Sequence, residues 1–445
     1  MTRVQVPQTR RERFIRKLAG FLVRAVYRRV DVWRPADVSE GPQLSVANHF
    51  GGFADPLLLI YAMPRVPRII ARDVIWKIPI AGAIMRWARA IPVHKPEDRG
   101  PGSNDVMFAS AYEALREGSH VMIFPEGITR DEPSIAPIKT GAARIVLGAR
   151  ASGVAGIQIR PAGIHYQDKA SLRSDVSLLV GEPIDLDGSI DEFVQPGEDE
   201  GPDNRAAVRS LTDRIETELR HVAPDFSDWQ EARALTIGAD VLLRTLADSP
   251  KDEIPMASRD ALAGYLGRRP AEVKQRAVEA VDAYRADLAS LGLDDARLLS
   301  GMTGRQFLWR SFWLLILTLV LLPFALVGVL INWIPYLLVK AVGLLRFKAA
   351  PAVLATVKPM SAILFFGITW GIVLWGVFRD QGWWLGLLAI MLMPLYLGAV
   401  ILVVETAQLL WNSFTTWRRL RKARSSDDLI EAQRRAVVDA LVEAL

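Results

Sequence analysis

Three stretches in the last third of the chain, Ser311 to Val339, Pro359 to Phe378 and Gln381 to Val404, contain no Asp, Glu, Lys or Arg. Each meets the roughly 18–20 apolar residues that a helix needs to cross a bilayer. The pattern upstream is different. Short β-like runs at Leu44 to Ala47, Ile69 to Arg72, Val121 to Phe124, Ile157 to Arg160 and Val176 to Val180 alternate with helix-length segments, which predicts an α/β domain. From Asp185 to Asp203 eight acidic residues, several Gly and Pro and no basic residue read as an exposed linker. Helical patterns follow to about Leu293, the first with a stripe of Ala206, Val208, Leu211, Ile215, Leu219 and Val222.

Basic residues beside the apolar stretches suggest a topology. They collect at Arg305 and Arg310, at Lys340, Arg346, Lys348 and Lys358, and from Arg418 to Arg424. All three groups are expected on the cytoplasmic side. Two hairpins satisfy this, the first folding Ser311 to Gly343 back near Asn332 and Pro335 and the second turning at Arg379 to Gln381. A re-entrant first pair, or three helices with one positive loop outside, fits as well.

Charge adds a further element. The chain has 445 residues and a formal charge of +5, but Met1 to Arg34 holds ten Lys or Arg against Glu12 and Asp31. Phe14, Leu18, Phe21, Leu22, Ala25 and Val26 fall on one side of a helix there, and Arg13, Lys17, Arg24 and Arg28 on another. That pattern suits a helix lying in an anionic headgroup layer. A solvated face or a nucleic-acid arm is the alternative, and no nucleic-acid fold signature accompanies it. Arg24 interrupts the apolar stretch and argues against a secretory signal. The chain has no cysteine, which excludes disulfides, thiolate metal sites and a cysteine nucleophile.

The candidate chemistry lies in two clusters. In Val46-Ala-Asn-His-Phe-Gly-Gly-Phe-Ala-Asp-Pro56, His49 is the natural general base, since an imidazole can take a proton at neutral pH and return it. Asp55 would orient the ring. Residues six apart on a regular helix point about 120° from each other, so contact needs the bend that Gly51 and Gly52 allow. Asp55-Pro56 reads as a helix N-cap followed by proline at the first helical position. The second cluster, Phe124-Pro-Glu-Gly127, ends a predicted strand, and Arg130 and Lys139 follow. Cations and free helix N–H groups at a strand end suit a phosphate. The His and carboxylate spacing matches no set of metal ligands.

Asn48-His49 with Asp55-Pro56, then Phe124-Pro125-Glu126-Gly127, then Ile159-Arg160-Pro161 resemble successive blocks of the glycerolipid acyltransferases with a His-x4-Asp motif. Arg72 to Gly82 and Ala90-Ile91-Pro92-Val93 resemble the block between the first two. The order agrees over Leu44 to Ile184. Five residues separate His49 from Asp55 where most relatives have four, and Lys95 stands where an arginine commonly contacts the acceptor phosphate. The longer spacing, Pro137-Ile-Lys-Thr-Gly141 and the extension through Asp228-Trp229 look like the large branch that acylates glycerol-3-phosphate or dihydroxyacetone phosphate. Gly51-Gly52 replaces the polar pair usual there.

The resemblance implies an α/β acyltransferase domain, a mixed sheet flanked by helices, followed by a helical extension and a C-terminal α-helical transmembrane region. The expected boundaries are a basic membrane-surface arm over 1–35, the acyltransferase domain over 36–185, the acidic linker over 186–204, the helical extension over 205–304, transmembrane hairpins over 305–417 and a basic, then helical, cytoplasmic tail over 418–445. It implies His49 as base, Asp55 as its partner, and Glu126 and Gly127 in the acceptor site, with Arg130, Lys139, Arg72 and Lys95 toward the phosphate. No cofactor or metal is expected. The expected co-substrate is acyl-CoA or acyl-ACP, the expected acceptor a phosphorylated glycerol and the expected partner the lipid bilayer, without nucleic acid, with the catalytic domain expected to face the cytoplasm. Transfer to 1-acyl-glycerol-3-phosphate and an inactive membrane adaptor are the rival readings.

Overall fold

Strand β2 (Gln43–Ala47) is buried along its whole length, and its side chains alternate between two cores, Leu44 and Val46 in one and Ala47 in the other. A strand apolar on both faces needs neighbours on both edges and helices above and below. The computed structural model supplies both; it describes residues 9–35, 41–94, 104–169, 171, 173–249, 252–300, 303–345, 351–423 and 427–445. The chain divides into two units, residues 1–239 with 254–270, and 240–253 with 271–445.

In the first unit β2 lies between β5 (His120–Ile123) and β6 (Gln158–Tyr166), parallel to both. Outward from β5 come β3 (Arg68–Arg72) and β4 (Ile91–Val93), also parallel. On the other side β7 (Asp175–Val180) pairs antiparallel with β6, β1 (Arg29–Trp33) runs parallel to β7, and β8 (Ile184–Asp185) meets the start of β6. The order is β1-β7-β6-β2-β5-β3-β4. Five parallel strands therefore end at one edge, where ligands of open α/β sheets bind.

Helices α1 (Arg10–Val26) and α2 (Ala54–Ala62) cover one face through Val23, Leu58 and Leu59 against Met122, Ile164 and Leu178. A 3₁₀ turn (Asp73–Lys77) and α3 (Pro79–Trp87) join β3 to β4. Helices α4 (Asp105–Arg116), α5 (Gly141–Ala151) and α6 (Arg205–Val222) cover the other face through Leu115, Ile145, Leu147, Leu211 and Ile215. Helix α1 opens with a capping box, Thr9 and Glu12 each accepting from the other's backbone N–H. Its Ala19, Gly20 and Val23 are buried, whereas Phe14, Leu18 and Phe21 stay exposed.

Three expected boundaries are corrected. The arm ends before residue 35, because Arg29–Trp33 alternates well enough to join the sheet as β1. The acidic segment is not an exposed linker: Leu186, Phe193 and Val194 insert into the core while the carboxylates between them face outward. The helices after residue 205 are not a separate extension at their start. Asn204 caps α6 by accepting from the N–H groups of Ala206 and Ala207, and its stripe lies on the sheet core, with Ala207 inward where Ala206 was expected. After α7 (Trp229–Leu246), α8 (Met256–Gly267) packs on β7 and β1, where Asp31 accepts from the Ala257 N–H at 2.9 Å.

His120, on β5, shows why a core histidine is a poor guide to function. Its Nε2 lies 2.8 Å from Ser45 Oγ and its Nδ1 3.2 Å from the Arg65 carbonyl, and burial lowers its pKa from 6.5 to about 3. The folded state thus holds it neutral, and the stability this supplies is whole above 6.5 and lost as pH falls toward 3. Unfolding of the wild type in detergent should weaken below pH 6.5 by up to about 1.4 kcal/mol per pH unit from this group. That component should vanish in His120→Gln, and an unchanged acid slope would count against it.

In the second unit α9 (Ala271–Leu291), α10 (Asp295–Ser300) and α14 (Asp427–Glu443) meet around the buried Asp295, which accepts from Tyr284 and Arg434 at 2.7 Å each. Between them run α11 (Gly304–Leu345), α12 (Pro351–Gln381) and α13 (Trp383–Ala423). Three helices among the described residues are long and apolar enough to cross a membrane. The turn expected at Asn332 and Pro335 is absent, since α11 passes through both and through Pro323 as one 42-residue helix. Transmembrane helices tolerate proline where other groups satisfy the freed backbone. Asn332 turns inward instead, donating to the Gly328 carbonyl and accepting from the Trp370 indole on α12, both at 2.8 Å. The turn expected at Arg379 to Gln381 falls at Gly382, between α12 and α13, with φ +88°. Phe307 stacks on Trp417 and Gly328 meets Tyr396, so α11 and α13 run antiparallel.

Candidate active site

The carboxyl end of β2 carries the site. Its ladder with β6 stops at Ala47, and Asn48 takes over, donating to the Ile164 carbonyl at 3.1 Å and accepting from the Ile164 N–H at 2.7 Å. The chain then leaves the sheet with its first loop residue fixed. His49 follows, and Gly52, at φ +60°, reverses the backbone into α2.

That reversal brings His49 Nδ1 to 2.7 Å from Asp55 Oδ2. Asp55 is wholly buried and His49 keeps 22% of its side chain exposed. Asp55 is not the helix N-cap that the sequence suggested: α2 starts at Ala54, and Asp55 lies in its first turn. Its carboxylate points back across the loop because stronger donors wait there. Gly51 N–H reaches its two oxygens at 3.1 and 2.9 Å, and the Tyr166 hydroxyl donates to Oδ1.

The Phe124 to Gly127 cluster grips His49 from the neighbouring strand. The Phe124 ring stacks on the imidazole at 4.2 Å between centroids. Glu126 is buried and accepts from the His49 N–H at 2.8 Å and the Ala136 N–H at 2.9 Å. Burial raises its pKa, with these two N–H groups, His49 and Arg130 acting in the opposite sense. Both of its oxygens thus tie loops together beside His49. Gly127 adopts φ +65°, and a Cβ there would lie 2.7 Å from Lys139 Nζ, so glycine lets the lysine lie against the loop. Lys139 itself donates its N–H to the Pro125 carbonyl at 2.9 Å.

The remaining cations differ in place. The Arg130 N–H reaches the His49 carbonyl at 3.4 Å, and its guanidinium pairs with Glu132. An incoming phosphate would compete with that carboxylate. Arg72 ends β3, exposed on the same edge two strands from β2. Lys95 lies outside the described residues. Among the described residues no cluster of three or more His, Cys, Asp or Glu could hold a metal.

The structure thus gathers His49, Asp55, Glu126, Gly127, Arg130 and Lys139 in one place. Sequence reasoning missed Tyr166, Phe124 as a stacking partner, and the Asn48 bridge. Tyrosine is common in strands, and Tyr166 lies 111 positions from Asp55, so only the register of β6 reveals it. Chemically, an imidazole held through Nδ1 by a buried carboxylate keeps Nε2 for proton transfer.

Residues 29–165 match the family model described as Acyltransferase. Over 218 residues, 49% of this chain, the sequence is 29% identical to glycerol-3-phosphate O-acyltransferase 2 of Saccharomyces cerevisiae. Over 126 residues, 28% of this chain, it is 28% identical to glycerol-3-phosphate O-acyltransferase 1 of the same yeast. These matches span 28% and 16% of the yeast proteins' own lengths. A crystal structure of the 1-acyl-sn-glycerophosphate (LPA) acyltransferase PlsC from Thermotoga maritima aligns at 20% identity and a TM-score of 0.34, covering 47% of this chain and 79% of that one.

Proposed function

We propose that this protein is a membrane-bound acyltransferase that moves a fatty-acyl group from an acyl thioester, acyl-CoA or acyl-ACP, to a hydroxyl of glycerol-3-phosphate or a similar glycerol phosphate. The observation that carries the reading is the His49 to Asp55 contact of 2.7 Å at the carboxyl edge of the sheet, inside the segment that matches the acyltransferase model. His49 Nε2 removes the proton of the acceptor hydroxyl as that oxygen attacks the thioester carbonyl. The tetrahedral intermediate collapses, the C–S bond breaks, and the imidazolium returns the proton to the departing thiolate. Asp55 orients the ring and stabilises the imidazolium, with the acceptor hydroxyl in the place of a triad serine. Glu126 and Phe124 hold the His49 loop against β5.

Arg130 and Lys139, with Arg72 further along the edge and with Lys95, hold the acceptor phosphate. Helix α1 rests on the membrane surface, its exposed Phe14, Leu18 and Phe21 among basic residues. Arg305 and Arg310 at the start of α11 lie at the same end of the antiparallel pair as Arg418, Arg419 and Arg421. The positive-inside rule assigns that end, and the catalytic domain that precedes it in the chain, to the cytoplasm.

The test offers acyl-CoA and acyl-ACP separately to membranes carrying the protein, with glycerol-3-phosphate, dihydroxyacetone phosphate or 1-acyl-glycerol-3-phosphate as acceptor. Acylation of an unacylated glycerol phosphate is expected. Acylation of the 1-acyl acceptor alone would assign the next step instead, and inactivity with every pair would leave the adaptor reading.

A further inference from the structure

Strand β6 continues beyond the point where its partner β2 ends. Its last pairs are with β7 alone, Tyr166 opposite Val176. The overhang carries Tyr166 across the carboxyl edge and onto the His49 to Asp55 loop, where its hydroxyl donates to Asp55 Oδ1, the oxygen remote from the imidazole. The loop is shaped to admit it. A Cβ on Gly51 would fall 2.2 Å from the Tyr166 oxygen and 2.5 Å from its ring carbon Cζ. No residue but glycine leaves room for the phenol at that carboxylate.

A second tyrosine backs the first. Tyr27 follows α1 directly, is buried, and lies with its ring 6.1 Å from that of Tyr166. The two rings pack against each other at a tilt of 41°. Burial, Asp55 and Tyr27 all raise the pKa of Tyr166, so it remains a neutral donor throughout the working pH range.

We propose that Tyr166, backed by Tyr27, is a positioning residue that fixes the Asp55 carboxylate for His49. The carboxylate then has three donors, the imidazole, the Gly51 N–H and the phenol. Without the phenol it would be freer to rotate away from His49, and more of its negative charge would fall on the imidazole. The first effect lowers turnover. The second favours the protonated ring, which is inactive as a base. The other charged groups around His49 are Glu126 at its N–H, Arg130 at its carbonyl, and Lys169, whose ammonium lies over the Phe50 ring beside Asp131. None of these contacts the phenol's partner oxygen among the described residues.

The inference rests on the acyltransferase reading, so its test carries a control for that reading. Full-length wild type, His49→Ala, Tyr166→Phe and Tyr27→Phe are compared in acyl transfer as a function of pH and substrate concentration. A hydrogen bond to a charged group contributes about 1.5–3 kcal/mol, so Tyr166→Phe should lose roughly tenfold to a hundredfold in kcat. KM for donor and acceptor should stay within about twofold, and the acid limb of the kcat/KM profile should move to higher pH. Tyr27→Phe, which keeps the ring packed against Tyr166, should leave kcat and the pH profile within about twofold of wild type, because only the Tyr166 hydroxyl reaches Asp55. Unchanged kcat and pH profile in Tyr166→Phe would reduce the phenol to packing and overturn the proposal. Should that variant not fold, an unchanged kcat and pH profile in Gly51→Ala, whose methyl would displace the phenol, would do so. Full activity in His49→Ala would refute the acyltransferase reading itself, a result separate from either tyrosine outcome.

Discussion

Asp55→Asn is expected to lower kcat by on the order of 10³–10⁴, the scale of the same exchange in a serine-hydrolase triad, while the fold persists. The argument concerns tautomers. With its single acceptor oxygen toward Tyr166 and Gly51, the carboxamide would turn its NH2 group to His49 Nδ1, at the 2.7 Å contact. Nδ1 must then accept, the ring proton moves to Nε2, and the base is gone. In the flipped orientation the NH2 would face the Tyr166 hydroxyl, which must then give up its donation and accept instead. The first arrangement, which keeps the Tyr166 donation, leaves no base. Steady-state kinetics beside a melting curve checks this, and a loss under tenfold would mean that Asp55 only packs the loop.

Gly51→Ala should be nearly as damaging for a steric reason. The new methyl would lie 2.2 Å from the Tyr166 oxygen and 2.8 Å from Asp55 Oδ1, so the phenol or the whole turn must shift. A displacement of about 1 Å in a catalytic group costs on the order of a hundredfold. Gly118→Ala is the control. It carries backbone strain at φ +68° that Gly51 does not, yet a Cβ there meets nothing within 4 Å, and it precedes β5 at the end of the sheet away from His49. Gly118→Ala should lose stability and keep turnover; if Gly51→Ala behaves the same way, the close approach is not what the glycine serves.

Much of this arrangement was legible in the sequence because it depends on short-range rules. Period-two runs marked five strands, and the pair Gly51-Gly52 between a histidine and an aspartate announced a reversal that would bring them together. Phe124 to Gly127 was recognisable as a strand end. Its use was not: that Glu126 would give both oxygens to the N–H groups of His49 and Ala136 depends on two loops meeting in space. Tyr166 depends on register, which no local pattern encodes. The acidic segment misled because charge outnumbered the three apolar residues that anchor it, Leu186, Phe193 and Val194. Asn332 and Pro335 misled for another reason. They are turn signals in water, but in an apolar helix pair the amide of Asn332 finds Gly328 and Trp370 and the helix continues.

The central claim is that His49 is the base of an acyl transfer. It is tested most directly by following labelled acyl groups from acyl-CoA in membranes carrying wild type or His49→Ala at equal abundance, with glycerol-3-phosphate and 1-acyl-glycerol-3-phosphate supplied separately. The account predicts labelled product with wild type and glycerol-3-phosphate, and a loss of at least about a hundredfold with His49→Ala. Equal transfer by both proteins would contradict it.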